Sequence, residues 1–432
     1  MKILVLNSGS SSQKACLYEI GEMVPDRPPT PLWQGKIEWS GDTAAIIVKN
    51  SQRVTFEEEV PVSSREQVIR HLLRTARDGN ARAIASTLEI DAVGHRVVHG
   101  GAHFKNPVVI TDKVRAAIES VSAFAPLHIR AEVEGMKIVE DLLGAVTQVA
   151  VFDTAFHSQI PLSAAIYPGP YEWFESGIRR YGFHGINHQY CAERAAQMLG
   201  ADVKALRIVS CHLGNGCSVT AIRDGQSIDT TMGFTPLEGL MMGTRCGSVD
   251  PGILTFLMRQ GQLDGQDIDE VLNQKSGLLG ISGLSSDMRD ILAGIQNGYE
   301  RAKLAFDIYV HRLQAAIGGM AAVSGGIDAL VFTAGVGENS PEVRAAACSG
   351  LEFLGLKLDS KTNARPSLDQ DISAPDSSVR VLVIRAEEDW AIAKECWKLA
   401  QANTPAGTTN ASVTQKESLR QGERAASESG IN

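Results

Sequence analysis

With 432 residues the chain is too long for one compact core and suits two domains. A hydrophobic content of 44% and a charged content of 21% exclude a disordered chain, and a net charge of -9 argues against a general nucleic-acid binder. Seven cysteines form an odd set without a CxxC pair, only four apolar residues separate Lys2 from Asn7, and no apolar run approaches the ~18 residues of a membrane span; a cytoplasmic protein with reduced thiols, no signal peptide and no membrane partner is expected.

The chain opens MKILVLNSGSSSQK. Ile3–Leu6 reads as a strand, Ala15–Tyr18 as its partner, and the small residues between them as the turn. Backbone N–H groups in such a turn form an anion cradle, Lys14 adds a point charge, and Asn7 could turn an oxygen toward a metal or its water shell. The spacing lacks GxxxxGK[ST], so this is not a P-loop. Residues 31–62 alternate polar and apolar and predict further strands. Arg65 to Ala76 is read as a helix with Val68, Ile69, Leu72 and Leu73 on one face. DAVGHRVVHGG predicts a strand ending in a glycine turn, Lys113–Val121 and Ala131–Leu143 predict helices, QVAVFDTAFH a buried strand, and His188 to Leu199 another helix.

RIVSCHLGNGCSVTAI, beginning at Arg207, repeats the design of the N-terminus: strand, Gly/Asn/Ser turn, strand. QVAVFDTAFH near residue 150 is similar to ALVFTAGVGEN near residue 330, each a buried strand delivering polar or glycine residues at its carboxyl end. Two related halves in matching order suggest a duplicated domain that binds a nucleotide. The helix from Tyr299 to Val323 carries Leu304, Ile308, Leu313, Ile317 and Met320, widened by Phe306 and Val310, and is expected to be buried on most sides. Arg380–Ile384 is read as a strand and Trp390–Leu399 as the last helix. Residues 401–432 are polar and small and read as a disordered tail.

Several side chains stand out chemically. His95, His99 and His103 sit four apart, but the strand and turn around them prevent a shared helix face, so a metal trio is not expected. Arg96 lies on a largely apolar strand and needs an anion, either a structural partner or a carboxylate or phosphate that it clamps. His184 lies between aromatics and glycine in YGFHG, as a packed histidine would. Arg245 is flanked by Gly243 and Gly247, which suits a loop whose backbone approaches a ligand. Thr333 to Asn339 reads as a glycine loop. In SSDMRD, Ser286 or Asp287 could cap a helix.

Taken together and in order, MKILVLNSGSSSQK, GHRVVHGG, FDTAFH, YGFHG, CHLGNG, GFTPLEGLMMGTRCGSVDPG, SGLLGISGLSSDMRD and FTAGVGEN resemble the acetate kinase (acetokinase) family from residue 1 to about 400. The resemblance implies an α/β fold of two duplicated ribonuclease-H-like (actin-like ATPase) domains around an interdomain ATP cleft. The implied domains are 1–152 with 387–400, and 153–386, usually in a homodimer. It implies transfer of the ATP γ-phosphoryl group to acetate, giving acetyl phosphate and ADP, with Mg²⁺ or Mn²⁺. Asp153, His184 and Arg245 are the implied catalytic residues, and Arg96, Val98, Leu127, Phe183 and Pro236 would meet the acyl substrate. Lys14, the turn His212, Leu213, Gly214, Asn215 and Gly216, the cap Asp287, Met288 and Arg289, and the loop Gly335, Val336, Gly337, Glu338 and Asn339 would meet the nucleotide. Asn7 and Glu388 would stand on the metal side.

The chain departs from the family pattern at three places. Arg385-Ala386-Glu387-Glu388-Asp389 replaces Pro-Thr-Asn-Glu-Glu, Ile186-Asn187-His188 replaces Thr-Ser-His, and Cys217 replaces a serine. Acetate is already ionised at pH 7, so Asp153 is expected to act through the metal or by orienting groups rather than as an obligatory base. Propionate or butyrate as the acceptor would use the same site, since a small apolar pocket separates one methylene by only ~10–200-fold.

Overall fold

The computed structural model describes residues 1–8, 12–261, 263–367 and 369–402, without the side chains of Ala123, Pro126 and Leu127. Gly9–Ser11, the tip of the expected anion cradle, and residues 403–432 of the expected tail lie outside the described residues. The chain divides into two compact units, Met1–Ala155 with the chain from Glu387 onward, and Phe156–Ala386.

The first unit is built on strands β1 (Lys2–Ser8), β2 (Ser12–Glu19), β3 (Trp33–Ser40), β4 (Thr43–Asn50), β5 (Thr55–Pro61), β6 (Ile90–Val97), β7 (Val108–Val109) and β8 (Thr147–Phe152). They form one sheet in the order β5-β4-β3-β2-β1-β6-β8-β7. The opening hairpin is present, with Leu6 opposite Ala15 and Asn7 opposite Lys14. β1 is apolar and buried at four successive residues, Ile3 to Leu6, as a strand covered on both faces must be. The outer strand β5 instead exposes Glu57 and Glu59, charges that keep a sheet edge from recruiting another strand.

Leu4, Leu6, Trp33, Ile37, Ile46, Val48 and Val93 form a core with Leu72 and Val139 of the helices Arg65–Arg74 and Pro126–Leu143. Successive strand residues point to opposite faces. Gly94, next to Val93, accordingly meets the last helix, Glu388–Ala402; a Cβ there would lie 2.7 Å from Ile392 Cγ2. That missing side chain lets the helix lie close on the sheet.

The second unit carries β9 (Ile208–Leu213), β10 (Cys217–Arg223), β11 (Gln226–Thr230), β12 (Ala329–Thr333), β13 (Gln370–Asp371) and β14 (Arg380–Val383), ordered β11-β10-β9-β12-β14-β13. β9 pairs antiparallel with β10 and parallel with β12, and β12 pairs parallel with β14. The first sheet repeats this pattern through β3-β2-β1-β6-β8. The likeness extends to the rim, where β7 precedes and pairs antiparallel with β8, as β13 does with β14.

This topology corrects one sequence-based equivalence. ALVFTAGVGEN is β12, which pairs with the first strand of its hairpin, so its counterpart is β6 (DAVGHRVV), not QVAVFDTAFH. QVAVFD is β8 and corresponds to β14. β8 and β12 are both buried and largely apolar, so composition could not distinguish their places in a sheet; pairing does.

Two local expectations also change. Ala334–Asn339 is a short helix rather than a glycine loop. The buried guanidinium of Arg344 donates from Nη1 to Gly337 O (2.8 Å) and Glu338 O (2.9 Å), holding carbonyls that a two-glycine segment would otherwise leave to water. The long helix Glu300–Val323 buries one face, through Ala302, Ala305, Tyr309, Val310, Leu313 and Ile317, while Leu304 is 52% exposed. The small residues Ala302 and Ala305 define its contact stripe, and counting only large apolar residues passed over them.

Candidate active site

In each unit the candidate residues stand at the carboxyl ends of neighbouring parallel strands, where open α/β sheets present their ligand-binding groups. In the first unit Asn7 closes β1, Arg96 stands near the end of β6, and Asp153 follows β8. Parallel register aligns Leu6 with His95 and Val97 with Phe152, so the three side chains converge. Arg96 Nη2 donates to Asp153 Oδ2 at 2.7 Å, and the two side chains are only 14% and 1% exposed. Burial by itself would lower the Arg96 guanidinium, but the carboxylates of Asp153, Glu388 and Glu132 outweigh it and hold the group above its ordinary value. Both readings of Arg96 therefore meet in one residue: it has a structural partner and is the cation of an acidic cluster.

Asn7 Nδ2 lies 3.1 Å from Asp389 Oδ1 and 3.5 Å from Glu388 Oε2, at the start of the last helix. Asp389, to which motif comparison gave no role, is thus the nearer of the two carboxylates. Burial, followed by the charges of Asp153 and Asp389, raises the Glu388 carboxyl, with Arg96 opposing. Lys14 is exposed opposite Asn7. Val98 is buried, and Leu127 is on the helix Pro126–Leu143 with its side chain outside the described residues.

Glu132 was absent from the sequence-based site. It is 2% exposed, Oε1 accepts from Val98 N at 3.0 Å, and Oε2 has no hydrogen-bond partner among the described residues. Burial pushes its carboxyl up to about 8, against Arg96 and the Val98 N–H. The available signal was a glutamate inside the apolar stripe Ile129, Val133 and Met136 of one helix. Because the native value lies above the ordinary carboxylate range near ~4.3, the folded state retains a proton that the unfolded state has lost between those values. Stability from this group is therefore full below about pH 4 and is lost as pH rises toward 8. Glu132→Gln, which carries no such proton, should match wild type at about pH 4 and exceed its melting temperature increasingly between about pH 5 and 8. Parallel melting curves of the two proteins across this range would refute a retained proton.

In the second unit His212 and Thr333 face one another at the ends of β9 and β12. His184 caps the helix Gly185–Leu199 with φ +58°, a left-handed conformation uncommon for a residue with a Cβ and typical of constrained functional positions. Its ring stacks on His212 with centroids 3.9 Å apart and planes 13° apart. The glycine turn lies against them: a Cβ on Gly216 would sit 3.4 Å from Arg245 Nη1 and 3.5 Å from His184 Nε2. Gly243 lets a second loop reach the same turn, since its N–H donates to Asn215 O at 3.1 Å and a Cβ there would strike Asn215 Oδ1.

Arg245 donates from Nη1 to Pro236 O at 3.1 Å, and burial lowers its guanidinium. It forms no ion pair among the described residues, which leaves its charge available to an anion. Phe183 is buried, with its carbonyl 3.0 Å from His157 Nε2, and Pro236 is half-buried. Leu213 and Gly214 complete the turn, in which Gly214 N donates to Gly216 O.

The remaining nucleotide candidates lie on two helix starts. Asp287 caps Met288–Gln296, accepting from Arg289 N at 2.8 Å, and the Arg289 side chain lowers its carboxyl. Met288 is buried and Arg289 exposed. On Ala334–Asn339, Glu338 Oε1 accepts from Ala386 N and Asn339 Nδ2 donates to Gly335 O, each at 2.8 Å. No added Cβ at Gly335 would meet anything within 4 Å, whereas Gly337 packs under Phe332.

Two α/β units share one strand order, and the second presents a glycine hairpin flanked by an arginine and two stacked histidines. This defines a duplicated ribonuclease-H-like, actin-like protein of the phosphotransferase class. The particular family is equally definite: the chain belongs to the acetokinase family, whose profile it matches over residues 2–394. It is 57% identical over 406 residues to an acetate kinase from a Cyanothece species, covering 94% of this chain and all of that protein. Among solved structures it is similar to acetate kinase from Porphyromonas gingivalis (42% identity, TM-score 0.86, covering 92% of this chain and 99% of that one). It also resembles a propionate kinase from Francisella tularensis (37% identity, TM-score 0.83, with the same coverages).

Proposed function

We infer that the chain is an ATP:acetate phosphotransferase that reversibly moves the γ-phosphoryl group of ATP onto acetate, giving acetyl phosphate and ADP. The observation that carries this reading is the convergence of Arg245 Nη1 and His184 Nε2 on the bare Cα of Gly216. Phosphoryl transfer asks for positioning and charge neutralisation rather than covalent chemistry, and a cation and an imidazole beside an open backbone supply both.

Residues of the second unit take the nucleotide in this reading. The turn Leu213–Gly216 cradles phosphate, Asp287, Met288 and Arg289 meet the adenosine with the helix Ala334–Asn339, and Arg245 and His184 take the charge of the transferring group. Residues of the first unit take the acid and the metal. Arg96 orients the acetate carboxylate, and Asp153 holds the Arg96 guanidinium in place. One carboxylate oxygen forms a bond to the γ-phosphorus while the bond from that phosphorus to the β,γ-bridging oxygen breaks, so no base has to remove a proton. Val98 and Leu127 are the candidate apolar contacts that the first unit offers the methyl group.

The donor set suits a hard cation. Among the described residues there is no group of three or more His, Cys, Asp or Glu side chains that could hold a metal. Two adjacent carboxylates, Glu388 and Asp389, beside the amide of Asn7 match the one or two carboxylates with which Mg²⁺ is usually held alongside substrate phosphates. Mg²⁺ bound there would neutralise phosphate charge. Cytoplasmic location fits seven free thiols, six of them buried. Among the described residues no helix is long and apolar enough to cross a membrane.

Trapping the acyl phosphate with hydroxylamine, from ATP, Mg²⁺ and acetate, propionate or butyrate, tests the reading. Product that falls as the acid lengthens is expected. A maximum at propionate would make the chain functionally closer to the Francisella protein, and no product with any acid would refute the assignment.

A further inference from the structure

Behind the stacked rings of His184 and His212 lies a set of polar side chains that the transfer step does not use. Asn187, His188, Ser210, Ser218 and Thr333 are each 0% exposed. Asn187 and His188 come from the first turn of the helix that His184 caps, Ser210 and Ser218 from β9 and β10. Asn187 Nδ2 lies 2.7 Å from His212 Nδ1 and 3.4 Å from Thr333 Oγ1. Its Oδ1 is taken by Cys191 Sγ at 3.5 Å. A second chain runs from His184 Nδ1 to Ser218 Oγ (2.9 Å), on to His188 Nε2 (2.8 Å), and from His188 Nδ1 to Ser210 Oγ (2.9 Å).

Hydrogens can be counted along both chains. An amide nitrogen carries only hydrogens, so the His212 Nδ1 facing Asn187 is the lone-pair nitrogen and the ring proton sits on Nε2. Ser218 has one hydroxyl hydrogen and two imidazole nitrogens in reach, so it gives to one and takes from the other. If Ser210 gives to His188 Nδ1, His188 gives from Nε2 to Ser218, and Ser218 gives to His184 Nδ1, every bond closes and the His184 proton also sits on Nε2. The reverse direction would aim the His184 Nε2 lone pair at the anion that Arg245 attracts. Both Nε2 atoms face the glycine turn, His184 Nε2 3.5 Å from a Cβ position at Gly216 and His212 Nε2 3.8 Å from one at Gly214.

We propose that the first turn of the helix Gly185–Leu199 is a tautomer lock, in which Asn187 acts on His212 and His188 acts through Ser218 on His184, so that both stacked rings present Nε2–H to the phosphate turn. Asn187, His188 and Ser218 are then positioning residues. Burial, reinforced by His157 and His212, holds His188 well below its ordinary value, so it stays neutral and can give and take at once. The lock also explains why Asn187 suits this chain: it reaches His212 with an amide hydrogen that cannot be withdrawn.

The proposal deepens the reading of the turn as a phosphate site, and it can be tested without turnover. Long-range ¹H–¹⁵N correlation spectra of the full-length enzyme labelled at histidine, at pH 7.5, distinguish the two neutral tautomers and the imidazolium. His184→Gln and His212→Gln assign the signals. Both rings are expected as neutral Nε2–H forms. Ser218→Ala should move only the His184 signals toward a mixture, Asn187→Ala only those of His212, and Ser218→Thr, which keeps the hydroxyl, should leave both as in wild type. Outer partners that fix an imidazole tautomer are worth about 10–100-fold in activity at metal sites, and a similar fall in kcat is expected for Ser218→Ala, with KM for acetate and ATP unchanged and Ser218→Thr restoring the rate. An Nδ1–H or imidazolium form in wild type, or spectra unmoved by the alanine variants, would overturn the lock. If His184→Gln leaves acyl phosphate formation intact while the spectra are as expected, the lock stands and the catalytic reading of His184 falls.

Discussion

Replacing Arg245 by alanine is expected to lower kcat by about 10³–10⁵-fold, the range that a positioned arginine contributes at a phosphoryl transition state in nucleotide hydrolases. The expectation rests on what Arg245 lacks as much as on what it has. Its Nη1 is anchored on the Pro236 carbonyl, it forms no ion pair among the described residues, and burial already works against its charge. A cation held in that state gains most when an anion arrives, and an anion whose charge spreads during reaction gains more than the ground state does. The loss should therefore fall on kcat, with KM for ATP changed much less. Arg245→Lys should recover little, because an ammonium cannot both keep the Pro236 contact and present a planar fork. Steady-state rates of acyl phosphate formation, with melting curves to confirm folding, decide the matter; a loss below tenfold would remove Arg245 from the transition state.

Arg96→Ala should be the most destabilising of the site variants. Asp153 is 1% exposed and Glu132 2%, and both, with Glu388, bear on this one guanidinium. Deleting one partner of a buried pair costs about 3–5 kcal/mol, chiefly because the other charge stays buried without compensation. Chemical denaturation should show a loss of that size. The double variant Arg96→Ala/Asp153→Asn should be more stable than the single one, since the stranded carboxylate is gone. A double variant no better than Arg96→Ala would mean that the pair is energetically unimportant. Whatever folded Arg96→Ala protein remains should need far more acetate for half-maximal rate.

The sequence made the elements legible and much of their chemistry. The opening hairpin, the second hairpin around HLGNG, the cap at Asp287 and the duplicated α/β class are all encoded locally, by runs of apolar residues that stop at glycine, serine or asparagine. What escaped was set by pairing across the chain. Nothing in QVAVFD or ALVFT says which stands next to a hairpin, because each is an apolar run ending in a polar residue; only the ladders of β6, β8, β12 and β14 do. Glu132 and Asp389 escaped because each lies in an ordinary helix, and its importance comes from Val98 or Asn7, on another element. Asn187 was visible only as a departure from a familiar motif, and His188 only as the first residue of an expected helix. The short helix at Ala334–Asn339 escaped because Arg344 overrides what two glycines prefer.

The last helix carries a consequence for how the molecule is made. Asn7 and Glu388 are separated by 381 positions, yet their side chains meet in the first unit. A ribosome finishing the second unit has therefore not yet supplied the helix that lies on Gly94, and the sheet laid down first waits with one flank bare until the final turns emerge. At ~5–20 residues per second, that flank stays bare for some tens of seconds while residues 156–386 are made. A chain that stops before residue 388 lacks Glu388 and Asp389 as well as the helix, so the carboxylates proposed for the metal and the cover of the first sheet arrive together, last.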